Sequence, residues 1–296
     1  MDAPFSLSAY LAVRSPEVET LLGRSLLRLE GAPVRLREAM AYSLLAGGKR
    51  LRPLLCLAFA EAAARGSASR LTQDAACALE YVHTYSLIHD DLPAMDDDAV
   101  RRGKPTSHIV YGEALAILAG DALLTEAFAL LGTGPEPQRA ALVRLLAHAA
   151  GAQGMVGGQV LDISLDRPAE EGYLTRLHAL KTGALLKAAC ALGVVSAGGT
   201  AAQLSAAGVY GDAVGLAFQI ADDVLDVTAS AEVLGKPAGA DAAAGRPTYP
   251  AVLGLEASQK KALALVQEAV AAVRESLEPT PGPLQALARY SVERQA

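Results

Sequence analysis

The sequence predicts an all-α fold of roughly ten to twelve helices, in a single domain that spans residues 1–296. Two observations on composition support this: the apolar residues are mostly Ala and Leu, which are good helix formers, and aromatic residues make up only 4% of the chain. A third is the pattern: apolar residues recur at three- and four-residue spacing, without the strand–helix alternation of a parallel sheet.

Glycine, proline and serine divide the chain into pieces of helical length. The predicted breaks are RGSAS (65–69), LPAMDDD (92–98), GTGPEP (132–137), SLDRP (164–168), SAGGT (196–200), LGKPAGADAAAGRP (234–247) and EPTPGP (278–283). Many pieces between the breaks are apolar over most of their surface. This predicts central helices that are surrounded by others.

Charge and cysteine usage narrow the class of protein. A net charge of −6 argues against general nucleic-acid binding, although a local cationic pocket is compatible with it. Cys56, Cys77 and Cys190 lack metal-ligand spacing, which favours reduced thiols. The N-terminus does not resemble a secretory signal, and no charge-free run reaches about 18 apolar residues. We therefore expect a soluble, cytoplasmic protein without stable membrane insertion.

The first acidic cluster follows an apolar helix that is predicted from about Thr72 to Asp91. At about 100° per residue, His83, Ser86 and Asp90 lie on one stripe of this helix. Aspartates at a helix C-terminus meet the partial negative charge of its carbonyl groups. They are therefore unfavourable for the helix unless a cation is bound there.

Asp96 stands six residues after Asp90 and would point about 120° away on an unbroken helix. Pro93 disfavours helical geometry at Leu92, so a break there returns Asp96 to Asp90. Carboxylates suit a hard cation such as Mg²⁺, which combines one or two of them with water and phosphate oxygens. Taken alone, the cluster also fits a solvated acidic loop.

The second acidic cluster lies in FQIADDVLDV (218–227). Asp222 and Asp226 are four residues apart and share a helix face, and Asp223 lies beside them. Aspartates in such apolar surroundings are costly unless they are paired or bind a metal. Together the two clusters predict facing carboxylate walls that hold several Mg²⁺ ions around a polyanion.

Basic residues concentrate at a few places: Lys49, Arg50 and Arg52; Arg101 and Arg102; Lys181; Lys236 and Arg246. Arg suits bidentate phosphate contacts and Lys supplies a mobile point charge. GGKRLRP (47–53) lacks the residue order of a nucleotide phosphate loop, and no nucleophile–histidine arrangement is evident. We expect diphosphate substrates, with an allylic partner that ionises inside an apolar cavity from which water is excluded.

The motifs GGKRLRP (47–53), DDLPAMD (90–96), DDVLD (222–226) and RPTYP (246–250) resemble those of the polyprenyl synthetases, or trans-prenyltransferases. The resemblance extends over nearly the whole chain and is strongest to the bacterial farnesyl diphosphate synthases. It implies an isoprenoid-synthase bundle around a deep central cavity, usually as a homodimer. It also implies condensation of isopentenyl diphosphate with dimethylallyl and then geranyl diphosphate.

The resemblance further implies a role for each matching residue. Three Mg²⁺ ions would be held with the substrate by Asp90, Asp91, Asp96, Asp222, Asp223 and Asp226. The allylic diphosphate would be held by Arg101, Lys181, Lys236 and Arg246. Isopentenyl diphosphate would be held by Lys49, Arg52, His83 and Arg102. The residues at the reacting centre would be Asp90, Asp91, Lys181, Thr182 and Gln219. Arg246 departs from the family, which usually has Lys there; it keeps the charge but changes the shape.

Product length depends on Tyr85 and Ser86, about one helical turn before Asp90. In the family, a large residue five positions before the first Asp accompanies farnesyl products, so Tyr85 predicts a fifteen-carbon product. Three alternatives remain: a geranylgeranyl diphosphate synthase with a deeper pocket, a class I terpene cyclase, and a non-catalytic prenyltransferase subunit. Class I terpene cyclases usually differ at the second metal motif, and non-catalytic subunits usually lose aspartates that this chain keeps.

Overall fold

The computed structural model describes residues 5–133, 136–228, 246–280 and 282–293. Fourteen α-helices and one short hairpin are found among these residues. The helices are α1 (Leu7–Leu26), α2 (Val34–Leu44), α3 (Leu51–Ala64), α4 (Arg70–Asp90), α5 (Ser107–Tyr111), α6 (Glu113–Leu131), α7 (Glu136–Ala150), α8 (Met155–Asp162), α9 (Glu171–His178), α10 (Ala184–Ser196), α11 (Ala201–Thr228), α12 (Tyr249–Leu253), α13 (Leu255–Arg274) and α14 (Pro283–Glu293). A 3₁₀ helix (Leu27–Leu29) follows α1, a π-helix (Ala179–Gly183) joins α9 to α10, and β1 (Val100–Arg101) pairs antiparallel with β2 (Lys104–Pro105).

The predicted all-α class is confirmed, but the predicted number of helices is too low. Two glycines account for the difference. Gly112 (φ 83°) separates α5 from α6, and Gly254 (φ 85°) separates α12 from α13. A positive φ interrupts a right-handed helix at little cost only when the residue lacks a Cβ. Each glycine therefore divides what the periodicity predicts as one helix.

Helix α4 is the central element of the bundle and occupies nearly the predicted range. It begins at Arg70 because the Ser69 side chain accepts a hydrogen bond from the Thr72 amide, a standard N-cap. It packs against α3, α6 and α10, and Leu79 and Val82 are fully buried. Because α4 is surrounded along most of its length, its polar residues must pair inside the protein or face a cavity.

A buried ion pair joins α4 to the turn before α3. Arg50 lies in that turn with φ 48°, in the left-handed region. Its guanidinium donates to Glu80 at 2.6 Å, to Glu19 at 2.7 Å and to the Leu44 carbonyl at 2.7 Å. Arg50 is 3% exposed and Glu80 is 2% exposed. This set of partners compensates both the buried charge and the unfavourable backbone conformation.

Among the residues that the structure describes, three helical stretches are long and apolar enough to cross a membrane by length and composition alone. They are Glu113–Leu131, Glu171–Ser196 and Ala201–Thr228. Inside the bundle, 67% of the second and 50% of the third stretch are buried, against 39% of the first. Of the three stretches, α6 is the least buried, and its Ile117 and Leu118 are exposed.

We predict that Glu80→Ala lowers the free energy of unfolding by about 3 kcal/mol, because it leaves the Arg50 guanidinium buried with less compensation. Glu17→Ala removes a partly exposed pair with Arg14 and should cost less than about 1 kcal/mol. Urea denaturation of both variants measures the difference. Equal losses would show that the buried pair has no special role in stability.

Candidate active site

Two adjoining cavities lie on the inner face of α4. The first, here called the basic cavity, has a volume of about 450 Å³ and is lined by Gly48, Lys49, Arg50, Arg52, Glu80, His83, Arg102 and Phe218, among others. The second, the deep cavity, has about 490 Å³ and is lined by Tyr85, Ser86, Asp90, Met95, Met155, Val156, Gln159, Val160, Ile163, Lys181, Thr182 and Gln219, among others. Arg52, His83 and Phe218 line both cavities, so the two are contiguous.

A third, smaller cavity of about 110 Å³, here called the side cavity, continues beyond Lys181 and Gln219, which also line the deep cavity. It is lined by Asp162, Arg167, His178, Asp223, Arg246 and Thr248, among others. The three cavities therefore form a series. Basic groups line the first, apolar groups predominate in the second, and the third has mixed charge.

The first acidic cluster has the geometry that its sequence predicts. Helix α4 ends at Asp90 with Asp91 as its C-cap, and the turn around Pro93 follows. The amide of Asp96 donates to the carbonyl of Asp90 at 2.8 Å. The break thus brings the Asp96 backbone directly beside the end of α4, and the carboxylates of Asp90 and Asp96 influence each other electrostatically.

Each carboxylate of this cluster contacts a different part of the chain. Asp90 accepts from Gln159 of α8 at 2.7 Å. Asp91 accepts from Arg101 of β1 at 2.7 Å. Asp96 pairs with Arg246, 150 residues away, at 3.0 Å. The cluster therefore connects the hairpin, α8 and the segment that precedes α12.

Burial, followed by the charges of Asp96 and Asp91, raises the pKa of Asp90 to about 6, while Lys181 and Arg101 oppose the shift. A cation near these carboxylates would relieve their repulsion. Within the described ranges, no group of three or more His, Cys, Asp or Glu side chains is arranged to hold a metal by itself. Mg²⁺ needs only one or two carboxylates when phosphate oxygens and water complete its shell, so the oxygen-only donor set fits it.

The second acidic cluster lies on α11. Asp223 and Asp226 are buried and Asp222 is half-buried. One carboxylate oxygen of Asp223 accepts from the Tyr249 amide at 2.9 Å and lies 3.6 Å from His178 Nε2. The cluster thereby ties the start of α12 and the end of α9 to α11.

A π-helix presents two of the predicted residues, Lys181 and Thr182, to the cavities. Lys181 Nζ forms an ion pair with Asp162, the last residue of α8. The Thr182 hydroxyl donates to Gln219 Oε1 at 2.8 Å. Single π-helical turns inside α-helices occur often at functional sites, because the extra residue changes the direction of side chains.

Two glycines let neighbouring helices approach this π-helix closely. A Cβ placed on Gly158 of α8 would lie 2.2 Å from the backbone nitrogen of Lys181. A Cβ on Gly215 of α11 would lie 2.7 Å from the Cα of Gly183. The backbone atoms of the π-helix are therefore packed between α8 and α11 at distances that no larger residue allows.

The basic cavity brings together four residues that the sequence predicts as one group: Lys49, Arg52, His83 and Arg102. Arg102 donates to the Gly47 carbonyl, which holds it beside the turn of GGKRLRP. Burial, together with Arg52, Arg102 and two further arginines, holds the pKa of His83 well below its usual range. His83 is therefore neutral near pH 7 and contributes hydrogen bonding rather than charge.

Tyr85 and Ser86 line the deep cavity, as their position before Asp90 predicts. Tyr85 is 6% exposed, and its ring meets that of His89 edge-on with centroids 5.7 Å apart. Burial raises the pKa of Tyr85 to about 12, with a further contribution from Asp90. The Tyr85 phenol therefore stays protonated at neutral pH.

Lys236 lies outside the described residues. Arg101 lies against Asp91, and its neighbour Arg102 lines the basic cavity. Gln159 and Asp162 contact predicted site residues but were not predicted themselves. Their signal was present in GGQVLD (157–162), where two polar side chains three residues apart interrupt an apolar helix.

We predict that Gly158→Ala lowers the free energy of unfolding by about 2 kcal/mol, because the added methyl group forces α8 away from the π-helix. Gly172→Ala is the control, since a Cβ there meets no atom within 4 Å. Its helical position should make that change neutral or stabilising by up to about 1 kcal/mol. Urea denaturation gives both values, and hydrogen exchange at the Lys181 amide should accelerate only in Gly158→Ala. The same sign of change in both variants would contradict the close packing.

Comparisons with known proteins found related sequences and a related fold. The Polyprenyl synthetase family model matches residues 33–278. A relative named geranylgeranyl pyrophosphate synthase 9, chloroplastic, from Arabidopsis thaliana is 45% identical over 299 residues, covering 98% of this chain and 82% of the relative. A farnesyl diphosphate synthase from Geobacillus stearothermophilus is 46% identical over 265 residues, covering 88% of each chain.

Among solved structures, an FPP/GFPP synthase from Zymomonas mobilis superposes with a TM-score of 0.82 at 36% identity, covering 97% of this chain and 98% of the other. This similarity confirms the isoprenoid-synthase fold. The family match covers most of the chain, and the relatives match it over nearly its whole length. The chain belongs to the polyprenyl synthetase family.

Proposed function

We propose that this polyprenyl synthetase condenses isopentenyl diphosphate with dimethylallyl and then geranyl diphosphate, and that its main product is farnesyl diphosphate. Prenyl chain elongation is the activity of the family to which the chain belongs. The observation that carries the proposal is the series of cavities. A basic cavity for one diphosphate adjoins a mostly apolar cavity of about 490 Å³ whose lining includes Asp90, Lys181 and Gln159.

Isopentenyl diphosphate is assigned to the basic cavity. Lys49, Arg52 and Arg102 offer cationic donors there, and Arg guanidinium groups suit bidentate contact with phosphate oxygens. His83 adds a neutral nitrogen between this cavity and the next. The hydrocarbon part of the substrate would then extend towards Phe218 and the deep cavity.

The allylic diphosphate is assigned to the part of the deep cavity that Asp90 and Lys181 line. Lys181 and Arg246, which line the deep or the side cavity, would contact its oxygens. Arg101, which pairs with Asp91, and Lys236 are added by the resemblance of the motifs. Lys181 and Arg246 now contact Asp162 and Asp96. Phosphate binding would therefore replace or extend these ion pairs, which positions the cations before the substrate arrives.

Magnesium is the cofactor that these residues fit. Asp90, Asp91 and Asp96 on one side and the Asp222–Asp226 cluster on the other would hold it together with the diphosphate. When bound, Mg²⁺ neutralises the diphosphate and so makes it a better leaving group.

The reaction needs no protein nucleophile. The bond between C1 of the allylic chain and its diphosphate oxygen breaks, and the electron pair leaves with the diphosphate. The double bond of isopentenyl diphosphate then attacks C1, and a proton is lost to the released pyrophosphate. Thr182 and Gln219 are hydrogen-bonded to each other and line the deep cavity beside this region. The apolar lining excludes water that would otherwise capture the allylic cation.

Tyr85 supports the farnesyl product, because its buried side chain lines the deep cavity about one turn below Asp90. A chain that grows away from the diphosphate would meet this ring.

Geranylgeranyl diphosphate is the second candidate product. It is favoured by the Arabidopsis thaliana relative, which carries that name at 45% identity.

A homodimer in the cytoplasm completes the proposal. Ile117 and Leu118 of α6 and Ile109 and Val110 of α5 are exposed apolar residues on adjacent helices. A helix that is apolar on all faces is normally covered. A second copy of the chain packed on this face would cover it.

We predict that Asp90→Asn lowers turnover at saturating Mg²⁺ at least about a hundredfold, because it removes a ligand charge. Asp97→Asn is the matched control, since Asp97 is exposed in the same segment and should retain near-normal turnover. The raised pKa of Asp90 shows that the fold disfavours its ionised carboxylate. The uncharged side chain of the Asp90→Asn variant should therefore not lower the melting temperature at pH 7. Radiolabelled isopentenyl diphosphate gives the rates. Near-normal turnover of Asp90→Asn would reject the assignment of this cluster.

We predict that Tyr85→Ala shifts the products beyond fifteen carbons when isopentenyl diphosphate is in excess, because the floor of the cavity is removed. Tyr85→Phe keeps the ring and should keep the wild-type product. Chromatography of the dephosphorylated products measures the chain length. Farnesyl diphosphate from Tyr85→Ala would show that another residue limits the chain, and geranylgeranyl diphosphate from the wild type would favour the second candidate.

A further inference from the structure

The side cavity contains an arginine to which neither the motifs nor the proposed mechanism assigns a role. Arg167 lies in the loop between α8 and α9 and lines this cavity with Lys181 and Arg246. Asp162 stands among these three cations. Burial alone would raise the pKa of Asp162, but Lys181, Arg246 and Arg167 lower it overall. The cavity therefore combines three cations with the carboxylates of Asp162 and Asp223.

The three cations differ in their partners. Lys181 pairs with Asp162, and Arg246 pairs with Asp96. Arg167 donates through Nε to the Ser164 carbonyl at 2.7 Å, a neutral acceptor within its own loop. Its Nη1 is buried and meets no hydrogen-bond acceptor in the part of the chain that the structure describes. A buried guanidinium nitrogen without an acceptor is costly, and an anionic oxygen in the cavity would remove that cost.

A second nitrogen in the same cavity has the same property. His178 is 6% exposed, and its Nε2 has no hydrogen-bond partner among the described residues. It lies 3.6 Å from Asp223, beyond hydrogen-bond distance. Arg167 and His178, the residues that carry these two nitrogens, come from different elements and both line the side cavity. A tetrahedral group that carries several oxygens, such as a phosphate, is the ligand that such an arrangement accepts.

The loop is built so that Arg167 reaches this position with little freedom. The bond from its Nε to Ser164 fixes the plane of the guanidinium. Pro168 follows directly and restricts the backbone at Arg167. The side chain is therefore held in place before a ligand binds, which reduces the entropy that binding would cost.

We propose that Arg167 is a further diphosphate-binding residue, which contacts the phosphate farthest from the prenyl chain in the side cavity beyond Lys181. The inference rests on the proposed function of the neighbouring cavities. The same contact would serve the terminal phosphate of the bound allylic diphosphate and the pyrophosphate that is released from it. Both ligands would present the oxygens of a terminal phosphate to the side cavity.

The test compares Arg167→Gln with Arg176→Gln, which removes the same charge from an exposed position on α9. Calorimetry with Mg²⁺ and inorganic pyrophosphate should show at least about a tenfold weaker affinity for Arg167→Gln and no change for Arg176→Gln, as for the loss of a charge-assisted hydrogen bond. The unreactive thiolo analogue of geranyl diphosphate forms the second arm. Weakening of both ligands indicates contact with the bound substrate, and weakening of pyrophosphate alone indicates a product site.

Equal pyrophosphate and analogue affinities for Arg167→Gln and Arg176→Gln would overturn the proposal. The KM for isopentenyl diphosphate should stay unchanged in Arg167→Gln, since a general loss of structure would raise it. Arg167→Lys keeps the charge but loses the planar fork, and should weaken pyrophosphate about threefold. If Arg167→Gln does not fold, wild-type affinity in Arg167→Lys overturns the proposal instead. Failure of the wild type to condense prenyl diphosphates would reject the proposed function and leave the pyrophosphate comparison intact.

Discussion

The buried ion pair between Arg50 and Glu80 is the interaction on which the geometry of the cavities depends. It joins the turn before α3 to the middle of α4, and both residues are almost fully buried. Arg50 turns inward with a left-handed backbone, while Lys49 and Arg52 on either side of it line the basic cavity. Because α4 is one rigid helix, this contact also fixes the position along the helix axis of every residue between Glu80 and Asp90.

Helix α4 also contributes both polar and apolar residues to the lining of the same cavities. His83 and Asp90 lie along the cavity side of α4, and Tyr85 lies between them in the sequence. The polar residues opposite come from elements distant in the chain, such as Gln159 and Lys181. Asp90 and Lys181 therefore have protein partners before any substrate arrives. The apolar lining can then exclude water without leaving these two charged groups unsatisfied.

Sequence patterns predicted the structure correctly where a few neighbouring residues determine it. The break at Pro93 and the return of Asp96 to Asp90 follow from the geometry of proline and were predicted. The number of helices was wrong because Gly112 and Gly254 act through backbone dihedral angles that periodicity does not reveal. Arg167 was not predicted because a single arginine in a loop belongs to no periodic pattern or motif. Only its position in the lining of the side cavity indicates a function.

The sequence by itself determined the helical class, the two acidic clusters, the basic turn and the resemblance to polyprenyl synthetases, since composition, helical periodicity and short motifs encode each of these within a few residues. The tertiary structure decided which groups meet. The contact of Asp90 with Gln159, the pair of Arg246 with Asp96 and the packing of Gly158 on the π-helix join segments far apart in the chain. Such contacts depend on how whole helices pack together, and no local spacing specifies that packing.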